Sequence, residues 1–146
     1  MLTLEFEEHR TNDAGREIFA EYDWWRELVR KAAKQADTFE LRCRQDEEEG
    51  IRLGKMLEAE QTSENEEVVF VGRLTEQALE TLTGDCVAGD GSLKFDTLHL
   101  RAANRSIFSS SHCGAEICWM GTGFAEMGFL MTLIREHPLI QGFQNR

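Results

Sequence analysis

Segments with strand-like and helix-like periodicity are grouped along this chain rather than alternating one for one, and this order constrains the fold more than any other feature. Alternating apolar residues predict strands at Leu2–Glu8 and Thr38–Arg44, and a β-branched run predicts a buried strand at Val68–Val71. Three more strand-like segments follow one another closely enough to form an antiparallel meander, namely Leu93–Arg101, Arg105–Ser111 and Ala115–Met120.

Helical periodicity is found in three segments. The strongest covers Tyr22–Ala36, with Asp23 as its predicted N-cap. A shorter helix begins after the capping residue Thr75 and ends at Gly84, and a third covers Phe124–Glu136. Because each element must bury an apolar face, we predict an α+β fold, in which two or three helices pack on an antiparallel or mixed β-sheet of about six to seven strands.

The segment between the first strand and the first helix has two interpretations. Thr11–Gly15 has the composition of a turn, so Arg16–Tyr22 is predicted to return as the second strand of a hairpin with Leu2–Glu8. Glu17–Tyr22 fits equally well as the beginning of the helix that follows, and the periodicity alone does not decide between the two.

The size and composition of the chain bound its class. A length of 146 residues is typical of one domain, so we expect a single globular domain over residues 1–146. No apolar stretch reaches the roughly 20 residues needed to cross a bilayer, and the chain begins without a secretory signal. We therefore expect a cytoplasmic protein that does not bind membranes. Its four cysteines are expected to be reduced, and they are Cys43, Cys86, Cys113 and Cys118.

Acidic residues are distributed unevenly along the chain. Residues 1–84 contain 21 Asp and Glu against 11 Lys and Arg, whereas residues 85–146 contain 6 against 5. Nine of the acids lie between Asp46 and Glu67, where the basic residues are Arg52 and Lys55. A negative field of this kind attracts basic proteins and repels nucleic acid, so a basic protein partner is expected and a nucleic acid is not.

The local structure of this acidic segment is ambiguous in the sequence. Gly50–Leu57 fits either a strand or one face of a helix, and Gln61–Glu67 is predicted to be a polar loop. A loop is thus one interpretation of the whole of 46–67. Charge runs of this kind are often only solvated surface, and that explanation stands beside a functional one.

The functional interpretation is an acidic docking surface whose carboxylates bind a basic protein. Trp24 is the predicted aromatic anchor beside it, because Trp25 fits the buried stripe of the helix and Trp24 does not. The acids assigned to the surface are Asp46, Glu47, Glu48, Glu49, Glu58, Glu60, Glu64, Glu66 and Glu67.

A second group of reactive side chains lies between Ser111 and Cys118. His112, Cys113 and Cys118 are zinc-ligand types, but their spacing lacks the close cysteine pairs of structural zinc sites, so we predict no metal and no other cofactor. A cysteine nucleophile is disfavoured because adjacent residues of a strand point to opposite faces. An alternative function, a small-molecule-binding domain or enzyme, would place a pocket around His99, His112, Cys113 and Glu116.

The function predicted from the sequence is non-enzymatic binding. Small acidic inhibitors of nuclease toxins, the immunity-protein class, share the size and charge of this chain, and such a protein neutralises its basic partner by electrostatic capture and occlusion of the active site. A third interpretation is a subunit of a larger assembly, which an exposed apolar face on the C-terminal helix would indicate.

Overall fold

The computed structural model describes residues 1–7, 10–120 and 122–145, which form ten strands and four helices. The first half of the chain contains β1 (Leu2–Phe6), β2 (Arg10–Thr11), β3 (Glu17–Ile18), α1 (Asp23–Ala33), β4 (Thr38–Arg44), α2 (Glu48–Lys55), β5 (Glu60–Glu64) and β6 (Glu67–Arg73). The second half contains α3 (Glu76–Gly84), β7 (Thr97–Ala102), β8 (Arg105–Ser111), β9 (Glu116–Trp119), α4 (Phe124–Glu136) and β10 (Ile140–Asn145).

Eight of the described strands form one antiparallel sheet in the order β10-β1-β9-β8-β7-β4-β6-β5. The α+β class is therefore confirmed, with one strand more than the upper end of the expected range. The antiparallel meander is also confirmed, since β7 pairs with β8 and β8 with β9. Two strands of this sheet, β5 and β10, were not predicted, and β10 pairs with β1 from Phe6↔Ile140 to Leu2↔Asn145. Ile140 and Phe143 of β10 are three residues apart, so they do not fit the two-residue period of a strand.

The predicted hairpin between the first strand and Arg16–Tyr22 is wrong. The strand β1 pairs with β10 and β9 instead, while Glu17–Ile18 pairs with Arg10–Thr11 in a separate two-stranded sheet. The residues after β3 do not join a sheet but enter the core. There the Tyr22 hydroxyl donates a hydrogen bond to the Gly91 carbonyl. Glu8, the last residue of the predicted strand, lies outside the described residues.

The helices pack on the sheet through apolar faces. In α1, the N-cap position is Tyr22 without a side-chain bond, so Asp23 is the first helical residue rather than the predicted cap. Trp25 reaches the sheet, and its indole Nε1 donates to Ser110 Oγ at 3.0 Å. The predicted cap of α3 is confirmed, because Thr75 Oγ1 accepts a hydrogen bond from the Ala78 amide at 3.1 Å.

The acidic segment 46–67 is regular structure rather than a loop. Helix α2 lies so close to the sheet that a Cβ atom added at Gly50 would clash with the Lys94 carbonyl oxygen, and one at Gly54 would clash with the ring of Phe70. The two glycines are four residues apart and therefore lie on the same face of α2. Because neither has a side chain, the helix can approach this closely. The segment predicted to be a polar loop instead forms β5 and the turn that joins it to β6.

Candidate protein-binding surface

Acids from two turns converge at one end of the molecule. A cleft of about 240 Å³ at the beginning of α2 is lined by Asp46 to Glu49 and Asp90, and also by the bases Arg16 and Lys94. A second cleft, of about 480 Å³, is lined by Asp46 with Glu66 and Glu67 at the β5–β6 turn, and also by Arg44. We refer to the exposed or half-buried acids of these two clefts as the acidic pole, which consists of Asp46, Glu48, Glu49, Glu66, Glu67 and Asp90.

The predicted acids differ in how far the chain itself satisfies them. Glu49 Oε2 accepts a hydrogen bond from the Gly89 amide at 3.0 Å, and Glu64 and Glu67 each lie 3.4 Å from Arg42. The remaining exposed acids form no ion pair with any described residue, and they are Asp46, Glu48, Glu58, Glu60 and Glu66. These five are fully available to a partner, whereas the other three are partly engaged.

Part of the acidic charge also stabilises α2. Glu48 and Glu49 lie in its first turn, and Arg52 and Lys55 in its last turn. Acids at the N-terminus and bases at the C-terminus of a helix both interact favourably with its dipole. The N-terminus of α2, which is the positive end of its dipole, therefore carries acids of the acidic pole, and its C-terminus carries the two bases.

Glu47 is excluded from the docking surface by burial, which corrects its predicted role. It is only 5% exposed and pairs with Arg16, while its Oε1 accepts hydrogen bonds from the amides of Arg44 at 2.6 Å and Asp96 at 3.2 Å. Burial raises the pKa of Glu47, and the bonds from Arg44 and Arg16 limit the increase. Glu47 thus joins the end of β4 to Arg16 and to the segment before β7, beneath the acidic pole.

Trp24 is also not the anchor that the sequence suggested. It is 0% exposed, its ring packs on Phe6 and Phe19, and its Nε1 donates to the Glu21 carbonyl at 2.9 Å. The prediction was wrong because α1 buries both of its adjacent tryptophans: the chain before the helix folds over the side that a sheet alone would leave open. Because it is buried, Trp24 is not available to a partner as an aromatic anchor.

A large exposed apolar side chain lies at the C-terminal end of α2: it is Met56, whose neighbours Leu53 and Leu57 are buried. It is 76% exposed at the end of α2. Two clefts, of about 400 Å³ and about 700 Å³, lie on either side of Met56 and share Met56 and Thr81 as lining residues. Together they form a groove between α2 and α3. Met56 differs from its buried neighbours in lying just after the last turn of α2. No residue in the sequence predicts that the helix ends there.

The four residues of the alternative pocket have different surroundings in the structure. His99 Nδ1 lies 3.3 Å from Ser106 Oγ, and its ring faces Glu40 on the neighbouring strand. Exposed His112 pairs with Glu116 at 3.6 Å in the β8–β9 turn. Cys113 is buried, with Arg16 and Glu47 among its charged neighbours, and burial raises the pKa of its thiol to about 12. A thiol this weakly acidic is a poor nucleophile.

A polar network lies near His99 on the sheet. Glu40, although nearly buried, accepts hydrogen bonds from Arg42 and Arg101, each at 2.8 Å. Burial alone would raise the pKa of Glu40, but the hydrogen bond and charge of Arg42, together with Arg101, hold it below the ordinary value of 4.5. The carboxylate is thus neutralised by its own neighbours, and this network offers a partner little free charge.

One group of acids and a histidine has the geometry to approach a metal ion. Glu27, Glu136 and His137 place one potential ligand atom each within 4.8 Å of one another. Both nitrogens of His137 are already engaged, however, at 2.9 Å from Glu21 Oε1 and at 2.9 Å from Glu27 Oε2. Both contacts are hydrogen bonds only in the imidazolium form, so this arrangement is that of an ion-paired cation. It joins α4 to α1.

Comparisons with protein-family models, with curated proteins and with solved structures found no match to this chain. Among the described residues, no helix is both long and apolar enough to cross a membrane. The candidate surface therefore has to be interpreted from its own geometry and charge.

Proposed function

We propose that this protein captures a basic protein partner at the acidic pole and inhibits it by covering its basic active site. A nuclease toxin is the kind of partner that fits, since its substrate-binding surface is built to bind phosphates and carboxylates can occupy the same positions. The observation that carries the proposal is the convergence of Asp46, Glu48 and Glu66, exposed and without internal ion pairs, in two adjoining clefts. Solvated charge alone does not require turns distant in sequence to meet.

The conformation of Glu66 supports this proposal. Asn65 and Glu66 form the two-residue turn between β5 and β6, with φ of 51° and 65°. Turns of this type favour glycine at the second position, because a side chain is strained at positive φ. The chain accepts that strain and thereby places a carboxylate at the tip of the hairpin, beside Asp46.

The groove at Met56 supports it as well. Electrostatic attraction accelerates encounter but contributes less to the lifetime of a complex, which depends on desolvated apolar contacts. Met56 supplies such a contact in a groove lined by five acids, namely Glu49, Glu58, Glu76, Glu80 and Asp85, against the three bases Arg52, Arg73 and Lys94. A basic partner with an apolar side chain at its centre fits this combination.

The test begins with capture of partners from the source cells at low salt, followed by recombinant production of any stoichiometric basic protein that is retained. Its dissociation constant is then measured against the chain, against the double variant Asp46→Asn/Glu66→Gln, and against the control Glu7→Gln/Glu136→Gln. Both variants lose two exposed acids. We expect the first to bind about tenfold more weakly at low salt and the control to bind within about twofold.

The salt dependence and the activity of the partner complete the test. Affinity should fall as NaCl rises, and the partner should lose its activity in the complex. The proposal is contradicted if no basic protein is retained, or if the two double variants weaken binding equally. It is also contradicted if the bound partner keeps full activity towards its macromolecular substrate, since occlusion requires that activity to be blocked.

A further inference from the structure

The edge strand β10 lacks the charges that usually prevent edge strands from pairing. Its sequence, Ile140–Asn145, contains no Asp, Glu, Lys or Arg, and among the described strands it pairs only with β1. An edge strand presents unpaired amides and carbonyls to any strand of matching shape. Charged side chains on the edge are a common protection, and β10 has none.

The helix next to this edge also has an uncharged exposed face. Phe124 is 99% exposed and Met131 is 60% exposed, and their spacing of seven residues places them on one face of α4. Gly128 lies between them, and a Cβ atom added there would meet nothing within 4 Å. The exposed residues of this face carry no charge until Arg135. The helix contacts β10, so both features belong to the same end of the sheet.

The charge of this region indicates what covers it. A basic partner would find no carboxylate on β10, and the one in the first turns of α4, Glu126, already accepts hydrogen bonds from Gly123 and Gln35. A second copy of this chain, in contrast, presents the same uncharged strand and helix face. For a protein of net charge −11, an uncharged surface is where two copies can approach with the least repulsion.

A two-fold symmetric contact between two copies is geometrically possible at this edge. A two-fold axis perpendicular to the sheet pairs β10 with its counterpart in the antiparallel direction and joins two eight-stranded sheets into one. The same axis keeps the helices of both copies on one side of the joined sheet. The two α4 helices then run antiparallel on that side, and their apolar faces are the surfaces available to cover each other.

From these observations we infer that two copies of this chain associate through the β10 edge and the exposed face of α4. This inference concerns the edge of the sheet opposite β5 and holds whether or not the acidic pole binds a basic protein. It also explains why a strongly acidic protein exposes a phenylalanine on a helix.

The test is the oligomeric state of the purified chain, measured by sedimentation velocity from about 1 μM to about 100 μM, at about 0.05 M and about 0.5 M NaCl. We expect a dimer whose dissociation constant is unchanged or lower at high salt, because salt screens the repulsion between the two negative copies. A chain that stays monomeric at about 100 μM would overturn the inference, as would a dimer that dissociates when salt is added.

Two variants locate the interface. Phe124→Glu and Gln141→Glu change exposed side chains on α4 and β10, and each change occurs twice in a symmetric contact, so we expect each to raise the dissociation constant by about a hundredfold. Met56→Glu, an equal change at an exposed side chain of α2, is the control and should leave the dimer intact. The circular dichroism of all three should match that of the parent. A dimer that survives both edge variants, or dissociates equally in the control, would contradict the assignment.

Discussion

The two edges of the sheet differ in the charge that they expose. At one edge, β5 has five exposed residues that include Glu60 and Glu64, and the turn after it adds Glu66. At the other, β10 has no charged residue and lies beside a helix whose phenylalanine is exposed to water. Like charges on an edge strand oppose its pairing with another copy, whereas an uncharged edge permits it.

This difference shows why the net charge alone describes the protein poorly. The excess of acids in residues 1–84 is concentrated in the structure at the β5 edge and the beginning of α2, because β4, α2, β5 and β6 are neighbours in both sequence and space. The last part of the chain forms the β10 edge and remains nearly neutral. Charge segregation along the sequence has therefore become segregation between two surfaces of the molecule.

The largest predicted effect is a difference in stability between variants of two adjacent glutamates at the beginning of α2, Glu47 and Glu48. Glu47→Ala should destabilise the fold by about 3–5 kcal/mol, because it leaves Arg16 buried without its carboxylate partner. Glu48→Gln should change the stability by no more than about 1 kcal/mol, because that side chain is exposed and loses only its interaction with the helix dipole. Urea unfolding of both variants measures the contrast, and equal effects would show that burial does not separate these two acids.

A pair of helical glycines, one near each edge, should respond in opposite directions. Gly54→Ala should destabilise the fold by about 1–3 kcal/mol, because the added methyl clashes with the Phe70 ring. Gly128→Ala on α4 should stabilise the monomer by up to about 1 kcal/mol, because its Cβ meets no atom and alanine favours a helix. Thermal unfolding under identical conditions tests both, and a stabilising Gly54→Ala would contradict the close packing of α2.

A smaller effect is expected where α4 meets α1, and it depends on pH. Burial lowers the pKa of His137, but hydrogen bonds and charge from Glu21 and Glu27 outweigh it and raise the pKa above 6.5. Because the folded-state pKa is the higher one, this stabilisation is fully present below pH 6.5 and is lost as the pH rises through the folded-state value.

Melting temperatures measured from about pH 5.5 to about pH 8.5 should reveal this loss. His137→Gln should remove that part of the pH dependence, and Glu27→Gln should reduce it. If His137→Gln leaves the profile of the parent unchanged, the ion pairs of His137 do not contribute to the stability.

Local periodicity accounted for much of the fold. The helix predicted at Phe124–Glu136 has the observed bounds, and Thr75 caps α3 as expected, because both features depend on neighbouring residues. The partners of β1 were missed, since pairing with β10 joins the two ends of the chain and leaves no local pattern. The exposed Met56 and buried Trp24 were missed for a related reason: which side of a helix is covered depends on segments distant in sequence.

The acidic surface was predictable in composition but not in detail. A run of acids identified the segment, yet the burial of Glu47 depends on Arg16, which lies 31 residues earlier in the chain. Likewise, the meeting of Asp46 with Glu66 depends on the β5–β6 turn that was expected to be part of a loop. Contacts of this kind require the tertiary structure, because no residue spacing in the sequence encodes them.

The measurement that tests the difference between the two edges most directly is native mass spectrometry of the protein captured from its own cells, first at low salt and then as salt is raised. The account predicts two copies of the chain with bound basic protein at low salt, and two copies alone at high salt. The opposite order, in which the second copy leaves while a basic protein stays bound, would contradict it.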